Sequence, residues 1–339
     1  MYNPINTGIL SFGMSGKLFH APFVAAHPGF NFNAVVERTA KNARALFPGI
    51  KSCDSVDELI ADPEIELVII NTPNYTHFDF AQKALRAGKH VLLEKPFTVT
   101  SIEAQQLFNE AKELNLHILP YQNRRYDSDF LAVKEVIESG KLGRLVEAHI
   151  RYDRYRYTIG PKVFKETPMP GSGLQYDLGP HLLDMVLALF GEPLEWSKSL
   201  GYFRPDTQVD DYALITLKYP DHFQVFITMS MLVVAQQPAF IINGTKGSYS
   251  KSRSDIQETQ LLKNMSPDDP LYGIEEPGKE GMLSVMEKDG SISKEFIPPG
   301  KSSYINLFEA VYQTIRNNQP YPVTQQQVTQ QLTILEHNA

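Results

Sequence analysis

The alternation of short apolar runs with stretches of helical periodicity over residues 1–120 is the feature that most limits how this chain can fold. The apolar runs contain few polar residues and are predicted strands, at 5–12, 33–36, 67–71, 90–93 and 117–119. Strands of this composition are buried on both faces, as in a parallel sheet flanked by helices. Two of the intervening segments, 55–58 and 100–103, have the capping-box spacing that starts a helix. We therefore predict a doubly wound α/β domain over residues 1–122.

Beyond residue 140 the pattern changes to longer runs in which polar and apolar residues partly alternate. This alternation predicts antiparallel strands, at 145–155, 212–219, 224–231 and 239–243. Residues 263–300 are rich in Gly, Pro, Ser and charge, and we expect a loop excursion with one hairpin there. Helical patterns near 306–316 and 324–337 close the chain. We therefore predict an α+β domain over residues 123–339.

Composition excludes several classes of function. A chain of 339 residues is long enough for two domains, and its net charge of −7 gives no reason to expect nucleic acid or an anionic membrane as partner. Cys53 is the only cysteine, so neither an internal disulfide nor a thiolate metal cluster can form. No run is long and apolar enough for a membrane span, and the N-terminus lacks a signal pattern. We expect a cytoplasmic protein that requires no metal.

The stretch S-F-G-M-S-G at 11–16 follows the first predicted strand and opens a helix. It matches the dinucleotide fingerprint G-x-G-x-x-G except that Ser11 replaces the first glycine. Serine can occupy that position if its φ stays negative, while Gly13 and Gly16 keep the positions for pyrophosphate approach and helix–strand packing. The alternative is an ordinary strand–helix turn. An acid, Glu37, follows about twenty residues later, and this context favours a working cofactor site.

Glu37 and Arg38, at the end of the second predicted strand, favour different cofactors. A Glu37 carboxylate that accepts from the ribose hydroxyls would favour NAD. An Arg38 guanidinium that pairs with a 2′-phosphate would favour NADP, although Arg38 could equally be a solvated surface charge. The choice between NAD and NADP stays open.

Three further motifs could carry chemistry. E-K-P at 94–96 and N-T-P-N-Y-T-H at 71–77 both follow predicted strands, at the carboxyl edge where such sheets place ligands. D-L-G-P-H at 177–181 lies far away in sequence. Its Asp177 and His181 are four residues apart, so on a helix they project from one face and the carboxylate can orient the imidazole.

Each of these residues also has a purely structural interpretation. Lys95 could be a surface lysine, and His181 could cap a buried helix over 182–190. Asp184 could serve the first turn of that helix, and backbone groups could satisfy the ring of His77. Three other histidines are predicted to be structural: His20, His90 and His149.

Taken together, the motifs resemble those of the Gfo/Idh/MocA oxidoreductases over nearly the whole chain. The resemblance rests on S-F-G-M-S-G with H-A-P at 20–22, N-T-P-N-Y-T-H, E-K-P, and Y-D-L-G-P-H-L-L-D at 176–184. The chain is most similar to the NADP-dependent scyllo-inositol dehydrogenase branch, through residues 121–127, 152–156 and 322–324.

The resemblance implies a fold and a set of partners. It implies a Rossmann domain and a C-terminal domain with a large, mostly antiparallel open sheet, whose last helices pack back near the Rossmann domain. It also implies NAD or NADP as cofactor and a homodimer or homotetramer formed through the open sheet.

The resemblance also assigns residues. The family's catalytic residues map to Lys95, Asp177 and His181. Together with the fingerprint it predicts these cofactor-binding residues: Phe12, Gly13, Met14, Ser15, Gly16, Glu37, Arg38, Thr72, Pro73, Asn74, His77, Glu94, Lys95 and Asn123. The predicted substrate-binding residues are Lys95, Arg124, Tyr155, Arg156, Lys165, Asp177 and His181.

The expected activity is hydride transfer between a nicotinamide cofactor and a hydroxyl or keto group of an inositol- or pyranose-like molecule. His181 would act as general base, Asp177 would orient it or bind a neighbouring hydroxyl, and Lys95 would stabilise developing alkoxide charge. The predicted pocket offers many hydrogen bonds and little apolar surface, which suits a polyol. A nicotinamide-binding regulator without turnover is the main alternative, and the presence of all three catalytic residues argues against it. A third possibility is an enzyme that keeps its cofactor tightly bound through alternate oxidation and reduction.

Overall fold

The computed structural model describes residues 2–161 and 163–337, apart from the side chains of residues 163 and 164. Its strands are β1 (Ile5–Ile9), β2 (Phe30–Val36), β3 (Lys51–Cys53), β4 (Leu67–Ile70), β5 (His90–Leu93), β6 (Ile118–Pro120), β7 (Leu145–Asp153), β8 (Glu195–Gly201), β9 (Tyr212–Lys218), β10 (Gln224–Ser230), β11 (Phe240–Gly244), β12 (Gly247–Lys251), β13 (Gly281–Met286) and β14 (Ile292–Ile297). Its helices are α1 (Ala21–Ala26), α2 (Ala43–Leu46), α3 (Val56–Ala61), α4 (His77–Arg86), α5 (Ser101–Glu113), α6 (Ser128–Glu138), α7 (Val163–Glu166), α8 (Leu174–Phe190), α9 (Ile256–Leu262), α10 (Ile305–Asn317) and α11 (Gln325–Glu336). Short helical turns lie at Gly16–His20, Asn74–Thr76, Asn123–Tyr126 and Pro220–His222.

The chain forms two compact units that interleave in sequence. The first contains Met1–Asn123, Gln257–Tyr272 and Ser303–Thr329, and the second contains Arg124–Ile256, Gly273–Ser302 and Gln330–Ala339. Domain boundaries at 1–122 and 123–339 stay a prediction. None of the helices built from residues 2–161 and 163–337 combines the length and the apolar character that a membrane span needs.

A six-stranded parallel sheet in the order β3-β2-β1-β4-β5-β6 forms the centre of the first unit. All four residues of β4 are buried, as expected for a strand covered on both faces. This order is that of the doubly wound dinucleotide-binding fold, and it reverses between β1 and β4. The predicted α/β class is confirmed, and the carboxyl ends of β1 and β4 are where such a fold binds ligands.

Helix α10, from the end of the chain, completes the core of the first unit. Its Phe308 ring stacks on Phe23 of α1, with centroids 5.7 Å apart and planes 7° apart. Both side chains are fully buried. Arg316, in the last turn of α10, contacts the Glu66 carboxylate at 2.7 Å. These contacts tie the ends of the sequence together within one unit.

The second unit is an eight-stranded sheet in the order β14-β13-β12-β11-β7-β10-β9-β8. Every pair is antiparallel except β7 with β10. Helix α8 packs against β7, β9 and β10 on one face of the sheet. The inward residues of β9 and β10 are buried and alternate with partly exposed ones, as expected for a sheet with one covered face. The large open sheet implied by the family resemblance is confirmed.

Helix α8 begins earlier than the sequence analysis predicts. It starts after Gly173, which has a φ of +88°, and continues through Pro180, whereas the sequence pattern indicated a helix only over 182–190. Proline in a helix interior removes a hydrogen bond and normally argues against a helix there. Here the Pro180 carbonyl accepts a hydrogen bond from Gln331 Nε2 at 2.7 Å. The longer helix places the whole D-L-G-P-H motif on regular backbone.

Two strands that the sequence analysis missed carry a lysine on their covered face. Lys198 of β8 donates to the Leu335 carbonyl at 2.7 Å, near the C-terminus of α11. Lys251 of β12 is buried and donates to Glu275 at 2.7 Å. A lysine directed toward the core needs a hydrogen-bond partner, and each of these has one. A lysine at an inward position breaks the alternation of apolar and polar residues by which a strand is recognised in a sequence. Strand β3 was missed because it has only three residues.

Candidate active site

The S-F-G-M-S-G turn connects β1 to a helix, as predicted. Ser11 is not among the residues with positive φ, so serine replaces the first glycine of the fingerprint without backbone strain. Its Oγ accepts a hydrogen bond from the Gly13 amide at 3.4 Å. The helix begins with a wide turn over Gly16–His20, in which the Ala21 amide donates to the Gly16 carbonyl. Wide turns of this kind are frequent at functional sites.

The two glycines of this turn are needed for different reasons. A Cβ on Gly16 would lie 2.0 Å from the Ser11 carbonyl oxygen, so no side chain fits between strand and helix. A Cβ on Gly13 would meet only Ser11 Oγ, at 3.6 Å, and Gly13 is exposed. Glycine is therefore not required at position 13 by the protein's own packing, but it leaves room for a phosphate to approach the backbone. This cradle fits a dinucleotide.

The turn after β4 is fixed by two polar side chains. Asn71 donates from Nδ2 to the Ser11 carbonyl at 2.9 Å, which joins this turn to the fingerprint. The ring nitrogens of His77 lie 2.8 Å from the Pro96 carbonyl and 2.9 Å from the Thr72 carbonyl. His77 is buried, and burial lowers its pKa against the opposing effect of those carbonyls. His77 was predicted to bind cofactor, but its ring is used to hold the backbone on which the neighbouring residues stand.

Glu94, at the end of β5, accepts hydrogen bonds from three donors. Ser15 Oγ lies 3.0 Å and His20 Nε2 lies 2.9 Å from Oε1, and the Lys95 amide lies 3.1 Å from Oε2. Burial raises the pKa of Glu94, but the hydrogen bond and charge of His20, the Lys95 charge and the Ser15 hydroxyl outweigh it, so the pKa lies below its usual value. Glu94 is therefore a fixed anion beside Lys95, whose peptide bond to Pro96 is cis.

Glu37, the acid of the predicted fingerprint, is hydrogen-bonded within the protein. Its Oε1 accepts from the amides of Asn42 and Ala43 at 2.8 and 3.1 Å, and its Oε2 accepts from Ser52 Oγ at 2.8 Å. The residue is buried and its carboxylate caps the start of α2, while its contact with a ribose stays a prediction. Arg38 is exposed, and within the described ranges the structure gives it no ion pair.

The remaining predicted cofactor residues lie at the same edge of the sheet. Thr72 Oγ1 and Thr76 Oγ1 are 2.7 Å apart, and Asn74 Oδ1 accepts from the Tyr75 amide at 3.0 Å. The others follow the carboxyl ends of β1, β4 and β6: Phe12, Met14, Pro73 and Asn123. Met14 is 55% exposed, whereas Phe12 and Asn123 are buried.

In the second unit, α8 carries Asp177 and His181 one turn apart, as predicted from their spacing. The Asp177 carboxylate is bound by two cations, Lys165 Nζ at Oδ1 and Arg154 NH1 at 3.5 Å from Oδ2. His181 is buried on the same helix. The two cations hold the Asp177 carboxylate in place on the helix that carries His181.

Asp184 forms a structural ion pair. Its carboxylate receives two hydrogen bonds from the Arg125 guanidinium, both at 2.7 Å. Burial raises the pKa of Asp184, and the Arg125 charge opposes that rise. The expected helix-start role is replaced by a two-point pair that fixes α8 to the segment preceding α6. No group of three or more His, Cys, Asp or Glu side chains placed to hold a metal ion occurs among the described residues.

Among the predicted substrate-binding residues, Arg124 is used inside the protein. It is buried and bonds Asp127 at 2.9 Å, Asp255, and the Tyr152 hydroxyl at 3.3 Å. Tyr155 is 58% exposed, and Arg156 is also exposed. The Arg124 guanidinium is therefore bound within the protein, whereas the side chains of residues 155 and 156 are exposed to solvent.

Sequence reasoning missed three residues that the site depends on. Arg154 lies in a stretch that carries the family resemblance, but nothing in its local pattern indicates that it reaches Asp177. Asn71 and His20 were seen and given no role in the site, because their partners, Ser11 and Glu94, are distant in sequence. The start of N-T-P-N-Y-T-H directly after a strand is the signal that could have identified Asn71.

Comparison with known proteins identifies the family. The model described as "Oxidoreductase family, NAD-binding Rossmann fold" matches residues 5–121, and the model of the GFO/IDH/MocA C-terminal domain matches 130–250. An uncharacterized oxidoreductase of Schizosaccharomyces pombe is 36% identical, covering 98% of this chain and 96% of the relative. The chain belongs to the Gfo/Idh/MocA family.

Two further proteins match the chain over nearly its whole length. The Bacillus subtilis protein named scyllo-inositol 2-dehydrogenase (NADP(+)) IolW is 32% identical, covering 98% of this chain and 92% of that protein. The crystal structure of an oxidoreductase from Bacillus cereus superposes with a TM-score of 0.89 at 30% identity, covering 98% of this chain and 95% of that one. The chain is an oxidoreductase of the Gfo/Idh/MocA family with an NAD(P)-binding Rossmann domain.

The two glycines of the turn predict different consequences of substitution. Gly16→Ala should lower the midpoint of thermal unfolding, because its Cβ meets the Ser11 carbonyl at 2.0 Å. Gly13→Ala should leave that midpoint within a few degrees but weaken binding of the reduced cofactor by about ten-fold or more, because the methyl group occupies the phosphate approach. Thermal unfolding and titration of nicotinamide fluorescence measure the two effects. Equal effects of both variants on both measurements would contradict this division of roles.

Proposed function

We propose that this protein is an NAD(P)-dependent dehydrogenase or reductase that acts on a hydroxyl or keto group of a polyol or sugar. The observation that carries the proposal is the Asp177 carboxylate held between Lys165 and Arg154, one helical turn from His181. A fixed anion beside an imidazole is the arrangement that orients a general base. The name of the relative IolW, a scyllo-inositol dehydrogenase, supports the substrate class.

The reaction needs an acceptor for the hydride and a base for the hydroxyl proton. When bound to the first unit, the nicotinamide supplies the hydride acceptor in oxidation and the donor in reduction. His181 takes the proton of the reacting hydroxyl on a ring nitrogen and returns it to the carbonyl oxygen in the reverse direction. Asp177 stabilises the protonated imidazole or accepts a hydrogen bond from a neighbouring hydroxyl.

Lys95 supplies positive charge for the oxygen from which the proton leaves. The alcohol oxygen gains negative charge as its proton leaves, and an ammonium group stabilises that charge until the hydride has left the carbon and the carbonyl has formed. The Lys95 charge is one of the causes that lower the pKa of the adjacent Glu94, so a carboxylate and an ammonium group act on each other at the end of β5. The lysine therefore acts as a fixed electrostatic group, and proton transfer is left to His181.

The accessible side chains of the second unit favour a polyhydroxylated substrate. Tyr155 and Arg156 are exposed, and Lys165 is partly exposed. They supply a hydroxyl, a guanidinium and an ammonium group, which are hydrogen-bonding groups suited to a ring of hydroxyls. Simple aliphatic alcohols would leave most of these groups without a partner from the substrate.

His181→Ala should lower turnover by about 10²- to 10⁴-fold, which is the usual contribution of a general acid–base group. Rates measured from nicotinamide absorbance against inositols and common sugars test this, with His222→Ala as control because His222 is exposed in the turn before β10. Cofactor affinity should be unchanged in both variants. Turnover of His181→Ala close to wild type, or a wild type that oxidises only simple alcohols, would contradict the proposal.

The surroundings of Glu37 and Arg38 support a preference for NADP. Glu37 is buried with three hydrogen-bond donors, so ribose hydroxyls would compete with the cap of α2 for its oxygens. Arg38, the next residue, is exposed at the carboxyl end of β2. A guanidinium at this position suits a 2′-phosphate through paired hydrogen bonds.

Arg38→Ala should weaken NADPH binding by about ten-fold, the loss expected of one charge-assisted contact, and leave NADH binding within a factor of about two. Fluorescence titration with both cofactors measures this. Arg86→Ala removes an exposed arginine of α4 that pairs with Glu110 and is the matched control. Equal losses for NADPH and NADH, or tighter wild-type binding of NADH, would contradict the preference.

The face of the large sheet opposite α8 supports a homodimer or homotetramer. One row of cross-strand neighbours on this face runs from β8 to β14: Ser197, Thr216, Phe226, His149, Ile241, Ser250, Met282 and Phe296. None of them is buried, and Phe226 stacks on His149 at 4.9 Å. A continuous row with apolar members and no fixed charge is suited to a second copy of the chain.

The cytoplasm remains the proposed compartment, on the sequence argument alone.

Phe226→Lys should dissociate the oligomer, because it places a charge at the centre of this row. Light scattering after size exclusion should give a multiple of 38.3 kDa for the wild type and 38.3 kDa for the variant. Leu194→Lys, at a position that is 67% exposed just before β8, is the control and should keep the wild-type mass. A wild type that runs as a monomer would rule out the proposed assembly.

A further inference from the structure

His20, the first residue of H-A-P, is fully buried directly after the fingerprint turn. Its ring lies 4.4 Å from that of Tyr121, and the Tyr121 hydroxyl donates to the Phe19 carbonyl at 2.6 Å. The Tyr121 ring, itself held by this hydrogen bond, limits the movement of the His20 ring. Its Nε2 lies 2.9 Å from Glu94 Oε1, and its Nδ1 has no hydrogen-bond partner among the described residues. The one hydrogen bond that the imidazole makes is therefore directed at Glu94.

Glu94 connects the two parts of the cofactor-binding edge that the proposed function uses. On one oxygen it accepts from Ser15, within the fingerprint, and from His20. On the other it accepts from the backbone amide of Lys95. A carboxylate with donors on both oxygens is held against rotation, and its two neighbours are held with it.

We propose that His20 is a positioning residue that acts through Glu94 to fix both Ser15 of the phosphate turn and the catalytic Lys95. The proposal rests on the proposed function, because it assumes that Lys95 acts in catalysis. It gives a role in the reaction to a residue that the sequence indicated to be structural.

Removing the imidazole donor should change more than packing. Glu94 is largely desolvated, and an anion there needs its donors. With only Ser15 on Oε1, protonation or rotation of the carboxyl group becomes easier, and either change releases Ser15 or the Lys95 amide. The charged and titratable groups that face Glu94 among the described residues are His20, Lys95 and His77. An acidic step that appears when His20 is removed would therefore report on Glu94.

Two variants of His20 and one control separate positioning from packing. His20→Phe keeps a ring of similar shape without the donor, and His20→Gln keeps an N–H donor. His27→Phe is the matched control, because His27 is also buried in the first unit and its Nε2 lies 2.7 Å from a glutamate, Glu309 of α10. The control loses the same kind of pair away from Glu94.

The measurements are cofactor affinity by fluorescence, kcat as a function of pH, and the midpoint of thermal unfolding. His20→Phe should bind cofactor about ten-fold more weakly and lose about ten- to a hundred-fold in kcat, the range for residues that orient a catalytic group. Its kcat should fall more steeply toward acidic pH than that of the wild type, because protonation of Glu94 becomes easier without the His20 donor. His20→Gln should stay within about three-fold of the wild type, and His27→Phe should lose thermal stability only.

The outcomes distinguish this inference from the proposed function. If the wild type neither binds nicotinamide cofactor nor turns over a polyol, the proposed function fails. If the wild type does both and His20→Phe matches His27→Phe in affinity, kcat and pH profile, His20 has only a packing role and the inference is overturned. Failure of His20→Gln to recover activity beyond His20→Phe would also overturn it, because the donor would not be the cause.

Discussion

The approach of Gly16 to the Ser11 carbonyl is the constraint on which the rest of the cofactor edge depends. A side chain at position 16 would lie 2.0 Å from that oxygen, so the helix can begin this close to β1 only with glycine. The same carbonyl accepts from Asn71, so one backbone oxygen sets the position of both the helix and the turn after β4. Close contact between backbone atoms therefore determines this edge of the sheet, and side-chain hydrogen bonds hold it in place.

Each unit contains a carboxylate that several donors of the protein hold in place. Glu94 accepts from a hydroxyl, an imidazole and an amide, and Asp177 is bound by Lys165 and Arg154. The donors of Glu94 and the Lys95 charge keep the pKa of that carboxyl group below its usual value. In the proposed mechanism each carboxylate would act on a neighbouring group, the Lys95 ammonium in one unit and the His181 imidazole in the other.

The sequence predicted what depends on neighbours in the chain. The order of apolar runs indicated the parallel sheet, and the spacing of Asp177 and His181 placed them on one helical face. Prediction was incomplete where the fold adds hydrogen-bond partners that the motif does not contain. Glu37 matches the fingerprint acid, but the amides at the start of α2 and the Ser52 hydroxyl bind its carboxylate.

The same reason explains the strands that the sequence analysis missed and the internal pairing of Arg124. Strands β8 and β12 each direct a lysine inward, and its partners come from segments more than twenty residues away in sequence. Arg124 has the composition of a substrate ligand, but Asp127, Asp255 and Tyr152 surround it. Polar residues are therefore the least predictable part of this molecule, since each needs a partner that hydropathy does not show.

The return of α10 to the first unit has a consequence for biosynthesis. Phe23 is covered by Phe308, so part of the first core stays uncovered until α10, which follows the second sheet in the sequence, has been translated. Domains generally fold as they leave the ribosome, the N-terminal one first. In the nascent chain, the Rossmann sheet therefore keeps an apolar surface exposed while the whole of the second sheet is synthesised. A fragment that stops before α10 keeps that surface exposed.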